Sequence, residues 1–159
     1  MKNLIVYFSK YGCTADCAGY LKSKLQGDVN LIDINAAAQI DISLYDSIII
    51  GSSVYVGKVS KKLRKFCEDN LAALTKKRIG IFLCCALADQ ADEFFTDNFP
   101  PALLDGAVIK KVFGSDARLE KMSFLDKTMI KLVTKGDFSN FKISHESIDE
   151  FAREFYNKP

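Results

Sequence analysis

The chain has 159 residues, 48% hydrophobic and 26% charged, which suits a folded domain and excludes a disordered chain. A net charge of only +2 argues against a dedicated nucleic-acid binder, which carries a clear basic excess on one face. Apolar runs such as Ile79 to Leu83 are too short to span a bilayer, and Met1 to Phe8 reads as a strand rather than a secretory leader.

The first element, Leu4 to Phe8, is nearly all β-branched or aromatic, as a strand buried on both faces requires. Thr14 to Leu25 follows with Cys17, Ala18, Leu21 and Leu25 at helical spacing, and Gly27 stops it. Val29 to Ile34 reads as a second strand and Tyr45 to Ile50 as a third, ending at Gly51. Ser60 to Leu74 is helical in pattern, with Leu63, Phe66, Cys67 and Leu71 on one face. Arg78 to Cys85 is a fourth strand, Ala86 to Phe99 a loop and a helix closed by Pro100-Pro101, and Ala107 to Gly114 a fifth strand. Phe124 to Thr134 is amphipathic, and Ser144 to Tyr156 is the last helix with Ser144 as its N-cap.

Strands alternating with helices predict an α/β fold: a three-layer, doubly wound, five-stranded parallel sheet of order 2-1-3-4-5 in one domain over residues 1–159. Ligands on such sheets sit beyond the carboxyl ends of the strands, where the strand order reverses. Here that point lies between the first and third strands, and three loops converge on it. Ser9-Lys10-Tyr11-Gly12-Cys13-Thr14 offers hydroxyls, a glycine turn and a helix N-terminus, the elements that hold a phosphate. The alternative is an ordinary strand-to-helix turn with an N-cap. Ser52-Ser53-Val54-Tyr55-Val56-Gly57 offers small residues beside which a flat ring fits and a tyrosine to stack on it. Cys85-Ala86-Leu87-Ala88 is small and apolar and lines the other side. No Walker-type or dinucleotide glycine pattern follows the first strand.

Ser9-x-x-Gly12-x-Thr14 resembles the phosphate loop of the flavodoxin family, with Tyr11 where a hydroxyl threonine is common. The resemblance runs over nearly the whole chain. It implies non-covalent flavin mononucleotide (FMN), bound by the three loops just named, and electron transfer or an oxidoreductase activity with a redox partner protein or a small donor or acceptor. Within the family, Phe124 to Leu132 and the Gly51 to Gly57 loop are similar to the subgroup containing menaquinone-dependent protoporphyrinogen IX dehydrogenase, which would make a quinone a partner. Residues 115–123 depart from that subgroup in lacking its run of arginine and aromatic residues. A non-enzymatic signalling module on the same fold is a weaker alternative, because Ser9 and Ser52 stand where a phospho-receiver needs acids.

The five cysteines Cys13, Cys17, Cys67, Cys84 and Cys85 are scattered and odd in number, and the only histidine is His145. That argues against a disulfide framework or a structural zinc and makes the cytoplasm the default compartment. Cys17 is expected in the core and Cys13 to contribute only its backbone N–H. Lys58, Lys61, Lys62, Arg64 and Lys65 form a basic run that reads as a solvated helix face or as a steering patch for an acidic partner. The segment Phe124 to Thr134 either packs on the core or meets a membrane surface, the latter not favoured.

Overall fold

The computed structural model describes residues 1–157. Five strands, β1 (Lys2–Phe8), β2 (Asp28–Asp33), β3 (Ser47–Ser53), β4 (Arg78–Cys84) and β5 (Ala107–Val112), pair in parallel in the order β2-β1-β3-β4-β5. Helices α1 (Cys13–Lys24) and α7 (His145–Asn157) cover one face. Helices α2 (Lys61–Asp69), α3 (Leu71–Leu74), α4 (Ala91–Asn98) and α5 (Pro101–Gly106) cover the other. Helix α6 (Phe124–Thr134) belongs to neither layer.

The two-residue period of the strands builds two cores. Leu4, Val6, Ile48, Ile50, Ile81 and Leu83 point toward α2–α5, while Ile5, Ile49, Phe82, Cys84 and Ile109 point toward α1 and α7. Each fully buried side chain of this size contributes about 1.5–3 kcal/mol of transfer free energy, so burial on both faces explains why the central strands are nearly continuous apolar runs. The second core stacks four aromatic rings: Phe82 on Phe113 at 4.5 Å, Phe113 edge-on to Phe151 at 5.4 Å, and Phe151 on Phe155 at 6.0 Å. Gly51 makes room for it, since a Cβ there would fall inside the Phe82 ring.

Several boundaries differ from expectation. Strand β3 runs on through Gly51 to Ser53, because its ladder with β4 continues to the Ser53–Cys84 pair. The expected Ser60–Leu74 helix breaks at Asn70, whose side-chain N–H bonds the Phe66 carbonyl at 2.9 Å and caps α2. Pro101 starts the short helix α5, where a proline fits because its missing N–H would have had no partner. Ser144 caps α7, its Oγ accepting from the Ser147 N–H at 3.1 Å.

Candidate functional site

The order reversal lies between β1 and β3, and a cleft opens at their carboxyl ends. The loop after β1 forms its floor. Gly12 takes φ +96°, a left-handed conformation, and a Cβ there would lie 2.6 Å from Arg118 Nη1. Ser9 Oγ accepts from the Gly12 N–H at 3.1 Å and the Ala15 N–H at 3.2 Å, which folds the loop onto the helix and leaves the Ser9 proton free to donate. Among the described residues no acceptor meets the first-turn amides of Cys13 and Thr14. Thr14 is fully buried, and its Oγ1 has no hydrogen-bond partner. A buried hydroxyl left unpaired beside two open amides is the signature of a missing acceptor.

Strand β3 delivers the second loop. Ser52 is buried with its hydroxyl donated to the Ser53 carbonyl at 2.8 Å, so it supports the loop, whereas Ser53, Val54, Tyr55, Val56 and Gly57 line the cleft. Tyr55 and Lys58 pair across a tight turn through Val56 (φ +49°) and Gly57 (φ +71°). Buried Asn98 holds this turn from beneath: it donates to the Gly57 carbonyl at 2.9 Å and accepts from the Val59 N–H at 3.0 Å. Cys85, Ala86 and Leu87 after β4 form the third wall, and Ala88 begins a short turn just beyond it.

A fourth wall was not visible in the sequence. The chain leaves the sheet at Gly114 and returns at Ile143, the two pinned by an antiparallel bridge and by the Ser144 N–H to the Phe113 carbonyl at 2.8 Å. Between them α6 lies over the cleft. Ser123 caps it, accepting from the Asp126 N–H at 3.2 Å, and Lys135 ends it at φ +53°. Met129, Ile130 and Val133 face the cleft, while Phe124, Leu125 and Leu132 stay exposed, so the helix packs over the site rather than on either core.

One carboxylate latches this insert. Asp126 accepts from Lys10 Nζ at 2.6 Å and from the Tyr11 hydroxyl. Tyr55 Oη faces the same carboxylate without a well-formed hydrogen bond, and Lys10 Nζ stands 4.4 Å from the Tyr55 ring centre. Burial pushes the Asp126 carboxyl up, but hydrogen bonds from Lys10, Tyr11 and Tyr55 and the Lys10 charge outweigh it and bring it down to about 2. Burial, then the Asp126 charge, raise the Tyr55 phenol. The same insert supplies Arg118, which donates to the Tyr11 carbonyl at 3.3 Å, pairs with Asp116 at 3.0 Å and with Asp16, and so stands over the phosphate-type loop.

Two expectations need correction. The Cys13 side chain is not idle, since its sulfur joins those of Cys17 and Cys84 within 4.8 Å. The basic run is largely spent locally: Lys58 pairs with Asp97, Lys65 with Asp69, and Lys62 donates to the Asn35 and Ala37 carbonyls.

A doubly wound sheet with a phosphate-type loop at its switch point defines a nucleotide-cofactor domain. A family model described as a flavodoxin domain matches residues 4–142, and the chain belongs to that family. Among solved structures it is similar to the Streptococcus pneumonia TIGR4 flavodoxin (21% identity, TM-score 0.61, 99% of each chain covered). It is also similar to Flavodoxin 1 from Bacillus cereus (17%, 0.59, 99% of this chain and 98% of that one). A third is the rubredoxin oxygen:oxidoreductase of Desulfovibrio gigas (15%, 0.55), where 98% of this chain covers only 37% of the other. At such identities the likeness shows the fold. No curated protein matches in sequence. Family membership implies FMN as cofactor, and the open amides and unpaired Thr14 hydroxyl fit its phosphate.

Proposed function

We propose that the chain binds FMN in this cleft and passes electrons between partners. The unpaired Thr14 hydroxyl at the cleft floor carries the reading. FMN, when bound, supplies the redox chemistry. The Cys13 and Thr14 amides, the Thr14 hydroxyl and the Ser9 proton hold the phosphate, and Arg118 offsets its charge. Val54, Tyr55, Ala86 and Leu87 flank the ring, and Met129, Ile130 and Val133 keep water from it. Titrating FMN into apo-protein should quench flavin fluorescence to a one-to-one end point, with riboflavin binding more weakly. Unquenched FMN refutes the proposal.

A second reading, a quinone-linked oxidoreductase of the porphyrinogen dehydrogenase type, is favoured by one feature. The outer face of α6 exposes Phe124 (82%), Leu125 (74%) and Leu132 (69%) beside the cleft, an apolar approach for a quinone. Reoxidation of the reduced, FMN-loaded protein by a menaquinone analogue, with oxidation of a porphyrinogen, tests it. Inactivity with FMN bound leaves the carrier. Among the described residues no helix is long and apolar enough to cross a membrane.

A further inference from the structure

Three thiols distant in sequence meet beneath the phosphate-type loop. Cys13 opens α1, Cys17 lies one turn on, and Cys84 ends β4; they are 8%, 2% and 2% exposed, and none is in a disulfide. Simple packing would leave three equivalent thiols. Here the hydrogen bonds are polarised. Cys17 and Cys84 bond to the Cys13 sulfur, as does the Asp116 backbone, and Arg118 stands near, so Cys13 is pushed toward the thiolate against the opposing effect of burial. Cys84 is held as a thiol by the same contacts. Cys13 also lines the cleft, which gives a small solute a route to its sulfur. An acidic thiol with a solvent route and a second thiol beside it is the arrangement of an oxidisable cysteine and its resolving partner.

We propose that Cys13 is a peroxide-oxidised residue that closes an intramolecular disulfide with Cys84. The Cys13 thiolate attacks hydrogen peroxide; the O–O bond breaks, leaving a Cys13 sulfenic acid and hydroxide. The Cys84 sulfur then attacks Cys13, the S–O bond breaks, and the Cys84 proton leaves with the departing hydroxide as water. In sum, two thiols and one peroxide yield one disulfide and two waters. Cys84 is the partner because Cys13 and Cys17 are four residues apart on a helix, with Cβ atoms about 5–6 Å apart. A disulfide needs about 3.5–4.5 Å, and Cys84 approaches from the sheet instead.

A metal on the three sulfurs is the competing chemistry. Three thiolates with a divalent ion leave net negative charge directly behind the amides that face the phosphate, whereas a disulfide leaves none. That comparison rests on the FMN reading; the disulfide does not. If FMN is bound, its phosphate covers the route to Cys13 and slows oxidation.

The test treats reduced protein with hydrogen peroxide, alkylates remaining thiols after unfolding, and maps the peptides. The expected result is a Cys13–Cys84 link reversed by dithiothreitol, with Cys17, Cys67 and Cys85 alkylated. In Cys84→Ala, and in Cys84→Ser should the first misfold, dimedone should trap a sulfenic acid at Cys13. Full alkylation of all five cysteines under conditions that oxidise free cysteine overturns the proposal. So does a Cys13–Cys17 link, or thiols shielded by a metal that a chelator releases. Slower oxidation with FMN than with riboflavin supports the coupling. An FMN-independent rate with the link intact would refute the phosphate site and leave the disulfide standing.

Discussion

Replacing Thr14 by valine should move apo-protein stability and cofactor affinity in opposite directions. Valine has nearly the shape of threonine, so the fully buried site stays filled. What disappears is a hydroxyl that has no partner in the described structure. An unsatisfied buried polar group costs about 1–3 kcal/mol, so the apo-protein should gain a comparable amount. For a domain of this size each kcal/mol is worth roughly 2–4 °C in Tm. In the complex the same hydroxyl would donate to a charged phosphate, a bond worth about 1.5–3 kcal/mol, or roughly 10- to 150-fold in Kd. Thermal unfolding of apo-protein, with parallel titrations of FMN and riboflavin, measures all three quantities. The expected pattern is a raised apo Tm, weakened FMN and unchanged riboflavin. A lower apo Tm, or equal losses for FMN and riboflavin, would refute the assignment of Thr14 to the phosphate.

Val56→Asn should raise stability by about 1 kcal/mol, read from the denaturation midpoint, because φ +49° strains a β-branched residue and suits asparagine. Gly51→Ala should destabilise by about 1–3 kcal/mol or more, since its methyl would occupy the Phe82 ring, and near-ultraviolet circular dichroism should report the disturbed aromatic stack. Asp126→Asn should release α6, detected as faster amide exchange over residues 124–134, because it removes the charge that Lys10 and Tyr11 grip. The latch has a defined pH sign. Its carboxyl is depressed from 3.8 to about 2, so the stabilisation is complete above about pH 4 and is lost as pH falls through about 2. Loosening of α6 that begins near neutral pH would contradict it.

How much of this was legible in the sequence depends on the range of the interaction. Sequence by itself determined the five strands, their parallel order and the three loops at the switch point, because strand burial and helix period are local patterns read within a few residues. It also determined α6 as a helix, from Ser123 and the apolar spacing after it. Only the tertiary structure decided what α6 covers, because an amphipathic helix does not state which surface its apolar face will meet. The same holds for Asp126 reaching Lys10 and Tyr11, for Arg118 over the loop, and for Asn98 beneath the Gly57 turn: each contact spans tens of residues or more. Cysteine spacing argued against any cluster, yet Cys13, Cys17 and Cys84 converge, because the end of β4 and the start of α1 become neighbours only once the sheet is assembled.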